Sequence, residues 1–145
     1  MKTFMSRAAF AGLLLSASML AMAAEVPRTA APAGAKVFIV SPADGATVAK
    51  TFKVKFGVEG MALAPAGDQT KNTGHHHLLL DVDKLPAENM PIPADANHIH
   101  FGKAQTETEV TLAPGKHTLQ LELADKNHVP FKPVLVSEKI TVTVE

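Results

Sequence analysis

Thr51-Phe52-Lys53-Val54-Lys55-Phe56-Gly57-Val58 places Phe52, Val54, Phe56 and Val58 on one side of an extended chain and Lys53 and Lys55 on the other. A period of two marks a strand with one face in a core and one in water. Upstream, Lys36 to Val40 reads as a second strand, closed by Ser41-Pro42-Ala43-Asp44-Gly45, where Pro sets one φ and Gly supplies a positive one. Downstream, Glu107 to Leu112 repeats the alternation through Thr108, Val110 and Leu112. Pro114-Gly115 then turns the chain into Lys116 to Ala124, with Leu119, Leu121 and Leu123 facing inward, which predicts a β-hairpin. Ser137 to Glu145 adds Ile140, Val142 and Val144.

With two histidine-bearing segments the count reaches about seven strands, the number of an immunoglobulin-like antiparallel β-sandwich. The chain is therefore expected to be all-β from residue 36 to 145, with Phe52, Val54, Phe56, Leu78, Leu80, Val110, Leu119, Leu121 and Val142 in the core. No stretch after Ala23 has a 3.6-residue period, and ten Pro and nine Gly punctuate the chain. Leu85 to Asn97, with Pro86, Pro91 and Pro93, reads as a long loop of the kind that carries function.

Lys2 and Arg7 precede an uncharged apolar run from Ala8 to Ala23, and Ala21-Met22-Ala23 has the small residues of a cleavage site. Residues 1–23 thus read as a signal peptide, whose 16-residue apolar run is too short for a comfortable membrane span of about 20 residues. Residues 24–35, rich in Ala and Pro, read as a linker. The protein is expected to be periplasmic or secreted, with no membrane anchor, and the absence of Cys removes both disulfides and a lipidation site. Of 14 basic and 14 acidic residues, the signal takes Lys2 and Arg7 and no acid, leaving a formal charge of −2. That argues against nucleic acid as a partner, since nucleic acid is met by a basic face. Without Trp or Tyr, and with five Phe after the signal, a sugar-stacking role also loses ground.

All seven histidines lie between positions 75 and 128, five of them in Gly74-His75-His76-His77 and His98-Ile99-His100. Imidazole is the commonest side-chain metal ligand. In His75 to Asp83 the apolar Leu78, Leu80 and Val82 share parity with His76, so His75 and His77 point outward together. Ile99 and Phe101 inward leave His98 and His100 as a second outward pair. Residues i and i+2 on one strand face stand roughly 6.5 to 7 Å apart, a gap that two imidazoles close by leaning onto a metal with bonds of about 2.0 to 2.1 Å. His75, His77, His98 and His100 are the candidate metal ligands.

Other roles weigh against this one. Strand-end histidines often only bond loop carbonyls, and a run of three can blunt a sheet edge. His76 reads as a satisfied inward residue and His117 as a hydrogen-bonded anchor of the Pro114-Gly115 turn. Asp125 serves either as an Asx turn or as a group orienting a histidine. With no thiolate, and only Met61 and Met90 outside the signal, a soft copper(I) site is poorly supported. Imidazole sites suit Cu(II), Zn(II) or Ni(II), and the cofactor expected is copper or zinc.

Four ordered motifs carry a resemblance: Gly74-His75-His76-His77-Leu78-Leu79-Leu80-Asp81, His100-Phe101-Gly102-Lys103-Ala104-Gln105-Thr106-Glu107, Leu112-Ala113-Pro114-Gly115-Lys116-His117-Thr118-Leu119-Gln120-Leu121, and Asp125 to His128 ahead of Pro133 and Ser137. Over roughly Lys36 to Glu145 the chain resembles the exported bacterial domains grouped as DUF4399. That resemblance implies an immunoglobulin-like domain in the periplasm and no settled activity. The family pattern has a second histidine after Asp-x-x-His, where this chain has Phe131. Pro42 to Val48 is also similar to a turn of the CopC-type periplasmic copper carriers, but their N-terminal histidine has no counterpart in Glu25-Val26-Pro27, so the likeness is one of fold.

The function expected is a histidine-rich metal-binding protein, a copper or zinc carrier or sequestering domain. The alternative is a non-catalytic structural or interaction module, with Gln105-Thr106-Glu107 as a polar edge. An enzyme is not expected: after the signal only Ser41 and Ser137 offer hydroxyl nucleophiles of the serine type, one beside Pro42 and one at a strand start. A metal-assisted hydrolase would need three histidines on zinc with Asp81 or Glu107 as base.

Overall fold

The computed structural model describes residues 25–145, so the signal-peptide assignment lies outside the described residues. Nine strands form two sheets: β1 (Lys36–Ser41), β2 (Thr47–Val48), β3 (Thr51–Glu59), β4 (Ala62–Leu63), β5 (Thr73–Leu80), β6 (His98–His100), β7 (Glu107–Thr111), β8 (Gly115–Ala124) and β9 (Ile140–Val144). One sheet has the order β1-β3-β7; the other runs β2-β9-β8-β5-β4, with β6 paired to β5. The fold is an all-β, immunoglobulin-like sandwich. The nine strands exceed the seven expected because β2 and β4 are two-residue strands too short to show a period in sequence. Both also pair in parallel, β2 with β9 and β4 with β5, so the antiparallel pattern holds only for the longer strands. Among the described residues no helix is long and apolar enough to cross a membrane.

Alternation made the core legible. Val54, Leu78, Leu119, Leu121 and Val142 are fully enclosed, and Phe52, Phe56, Leu80 and Val110 are also buried. The expected hairpin at Pro114-Gly115 is not formed. β7 pairs with β3 and β8 with β5 and β9, so the turn carries the chain from one sheet to the other. The reason is packing: Val110 on β7 and Leu119 on β8 bury the same core from opposite sides. Gly115, at φ 129, supplies the conformation that this crossing requires.

The middle of the 24–35 stretch is held rather than loose. Ala31 N–H donates to Lys132 O (2.9 Å) and Lys132 N–H to Thr29 O (2.9 Å). Thr29 Oγ1 donates to Asp125 Oδ2 at 2.7 Å. Arg28 reaches Glu88 Oε2 at 2.6 Å, Pro130 O at 3.3 Å and Phe131 O. Composition alone read as linker because nothing local reveals a distant partner segment.

Candidate metal centre

β5 lies between β8 on one side and β4 and β6 on the other. Its register puts His76 opposite Leu123 and Leu78 opposite Leu121, the core face. His77 stands opposite Glu122 on β8 and opposite His100 on β6. The expected parity is therefore observed, with His75 and His77 sharing a face away from His76. The expected exposure is not: His75 and His77 are each about 1 % exposed. Their face is covered by loops. Ile92, buried within the long 85–97 loop, donates its N–H to His128 O at 2.8 Å, which pins that loop to the one after β8. The sequence held a sign of this, since Leu78-Leu79-Leu80 is a continuous apolar run of the kind found in strands covered on both faces.

The rings of His75, His77, His100 and His128 gather under this cover. Centroid separations are 4.9 Å for His75–His77 and His75–His100, 5.0 Å for His75–His128 and 4.7 Å for His100–His128. His77 lies 5.1 Å from His100 and 6.2 Å from His128. One ligand atom each from His75, His100 and His128 falls within 4.8 Å of the others. Nitrogens bound to one tetrahedral ion at about 2.0 to 2.1 Å stand about 3.3 Å apart, so these three must draw together to share an ion, and His77 lies beside that trio rather than within it. His75 Nε2, His77 Nδ1 and His100 Nε2 are buried without a hydrogen-bond partner, as are both oxygens of Glu122.

Burial favours the neutral form of the His75, His77 and His100 rings. Loss of hydration, then the neighbouring rings of His100 and His128, lowers the pKa of His75 to about 4. The same causes, with His75 first among the neighbours, take His77 down to about 2. His100 is lowered by burial and by His128. Glu122 moves the other way: burial and then Glu88 raise it to about 7, against a lowering by Arg28. Neutral imidazole is the form that coordinates a metal.

His98 does not join the cluster. Its Nδ1 pairs with Asp95 Oδ1 at 2.8 Å, beside the turn that closes the 85–97 loop. Its place is taken by His128, a half-buried loop residue held at φ 67, in the left-handed region that non-glycine residues seldom occupy. Asp125 enforces this conformation as an Asx turn. Its Oδ1 accepts the N–H groups of Asn127 (2.8 Å) and Val129 (3.1 Å), and its backbone oxygen accepts that of His128 (2.9 Å). The Asp125 to His128 motif was the available signal for His128. Glu122 gave none, because it shares parity with Gln120 and reads as a solvated position.

Two glycines shape the site. A Cβ on Gly102 would overlap the His100 ring, with Nε2 only 2.9 Å away. A Cβ on Gly74 would meet Ala124 O at 2.7 Å and the Phe131 ring at 2.8 Å. Phe131 is buried in the hydrophobic core. His117 bonds Asp81 Oδ2 through Nδ1 (2.7 Å) and Ala113 O through Nε2 (2.8 Å), an anchoring role that leaves neither ring nitrogen free. The Asp81 and Ala113 acceptors raise its pKa. His76 faces the core as expected, its ring 5.1 Å from Phe56, but neither nitrogen has a partner, so it is not satisfied.

The chain is similar to the solution structure of the PKD domain (329-428) from human KIAA0319, at 13% identity and a TM-score of 0.43, covering 86% of this chain and 90% of that one. At that score the likeness adds nothing to what the two sheets establish. No curated protein matches the chain. A family model described as "Domain of unknown function (DUF4399)" matches residues 54–145, a span that holds all four clustered histidines and Glu122, and the chain belongs to that family.

Proposed function

We propose that the protein binds one divalent transition-metal ion, Cu(II) or Zn(II), through His75, His77, His100 and His128, as a carrier or sequestering domain outside the cytoplasm. One observation carries this reading: His75 Nε2 and His100 Nε2 are buried without hydrogen-bond partners, a ligand atom of each lies within 4.8 Å of one from the loop residue His128, and the His77 ring stands 4.9 and 5.1 Å from those of His75 and His100. Buried polar groups in folded proteins are almost always paired, and a shared cation satisfies several imidazoles at once. A purely structural role fits His98 and His117, each bonded to a carboxylate, but leaves the cluster unexplained. The extracytoplasmic placement rests on the charged and apolar pattern of residues 1–23. A binding rather than catalytic role agrees with Ser137, whose hydroxyl accepts Leu121 N–H and donates to Glu138 O, both at 2.8 Å.

Titration of untagged protein with Cu(II) and Zn(II) tests the proposal. One ion per chain is expected, with a rise in melting temperature that reflects about 2.7 kcal/mol at a hundredfold excess over Kd. His77→Ala and His128→Ala should each remove most of the rise, and His98→Ala should leave it. Protons compete for the same nitrogens, so affinity should weaken with falling pH. The loss should set in below the ordinary histidine value of 6.5, because burial already holds His75 near 4. Binding no tighter than that of a surface histidine, or binding that depends on His98 and not on His128, would overturn it.

A further inference from the structure

Glu122 is the one acidic side chain on the covered face of β8 that ends without a partner. It is fully buried, and neither carboxyl oxygen has a hydrogen-bond partner. Its Cα is paired in register with that of His77, and antiparallel partners directly opposite one another project to the same face. His77 in turn carries a buried Nδ1 without a partner. Among the described residues the one guanidinium, Arg28, is spent on Glu88 and on the carbonyls of Pro130 and Phe131. A buried carboxylate and a buried imidazole thus stand on adjacent strands, each lacking what the other offers.

Charge gives the juxtaposition a meaning. Four neutral imidazoles bring no negative charge to a dication, and an uncompensated charge in a dry site is costly. A histidine that binds a metal through one nitrogen commonly donates its other N–H to a carboxylate, which fixes the ring and strengthens the ligand. Resting on the metal-binding reading above, we propose that Glu122 is the anionic partner of this site: it accepts the N–H of metal-bound His77 and makes the cluster a site for dications, Cu(II) or Zn(II), in preference to Cu(I). Glu122 is a positioning residue, acting through His77 rather than on the ion. In the apo protein it is a buried acid with nothing to bind, and the cation supplies the charge that its burial lacks.

The test compares parent, Glu122→Gln and Glu122→Asp. Gln keeps the shape and removes the charge; Asp keeps the charge on a shorter stem. The Zn(II) and Cu(II) affinity of Glu122→Gln is expected to fall 10- to 100-fold, while the melting temperature of the apo protein stays level or rises. Glu122→Asp should recover part of the affinity. The Cu(II) electron paramagnetic resonance spectrum of metal-saturated Glu122→Gln should differ from that of the parent, a readout that a purely packing role would not move. Equal affinity and identical spectra in parent and Glu122→Gln would overturn the role of Glu122 while leaving the metal site standing. Failure of the parent to bind either ion would instead overturn the metal-binding reading, and this inference with it.

Discussion

His76 brings two ring nitrogens into the core between Phe56 and the leucines of β8, and neither finds a partner. An unsatisfied buried polar group costs about 1 to 3 kcal/mol. His76→Leu, close in size and apolar, is therefore expected to unfold at higher urea than the parent at pH 8, by roughly that amount of free energy. Burial lowers the pKa of His76 from 6.5 to about 4. Between those values the unfolded chain binds a proton that the folded chain refuses. The parent thus keeps its full stability above 6.5 and loses it as pH falls toward 4, about 1.4 kcal/mol per pH unit from this residue. The advantage of His76→Leu should widen over that window. A variant less stable than the parent at pH 8 would mean that His76 holds a bond the apolar side chain cannot replace. Nothing in Gly74-His75-His76-His77 announces this difference. Parity assigned the three rings to faces; only the environment shows which are starved of partners.

At the scale of elements, β5 and β6 form the floor of the site, and the turn after β6 decides how the His100 ring lies. Gly102 permits that position by having no Cβ. Gly102→Ala is expected to displace the ring and weaken metal binding at least tenfold, with the sandwich intact because Gly102 lies outside the strands. Titration and far-ultraviolet circular dichroism separate the two effects; unchanged affinity would show that His100 tolerates the shift. The strands themselves were legible, since β3, β8 and β9 carry clear alternation over five to ten residues. Their partners were not. The sequence from β7 through Pro114-Gly115 to β8 looks like any hairpin, yet the two strands belong to different sheets. A short turn between two alternating segments is compatible with pairing side by side or with facing across a core. The choice depends on which other strands are already in place.

Across the whole molecule, the histidine face is closed by three segments far apart in sequence, and Arg28 joins them. Its guanidinium meets Glu88 in the 85–97 loop and the Pro130 and Phe131 carbonyls after the Asp125 turn. Arg28→Ala should loosen this cover without disturbing the core. Hydrogen exchange at the Ile92 and Val129 amides is expected to accelerate, while Leu78 and Leu121 keep their protection. Equal protection at all four would show that the loops hold themselves. The sequence by itself determined the all-β class, the core positions from Phe52 to Val142, the shared face of His75 and His77, and the anchoring of His117. These follow from local periodicity and turn chemistry, which a strand carries wherever it is placed. Tertiary structure alone decided that this face is covered rather than solvated, that His128 and not His98 completes the cluster, and that Glu122 lies buried opposite His77. Those outcomes depend on contacts between residues dozens of positions apart, and the period of a single strand holds no record of what packs against its second face.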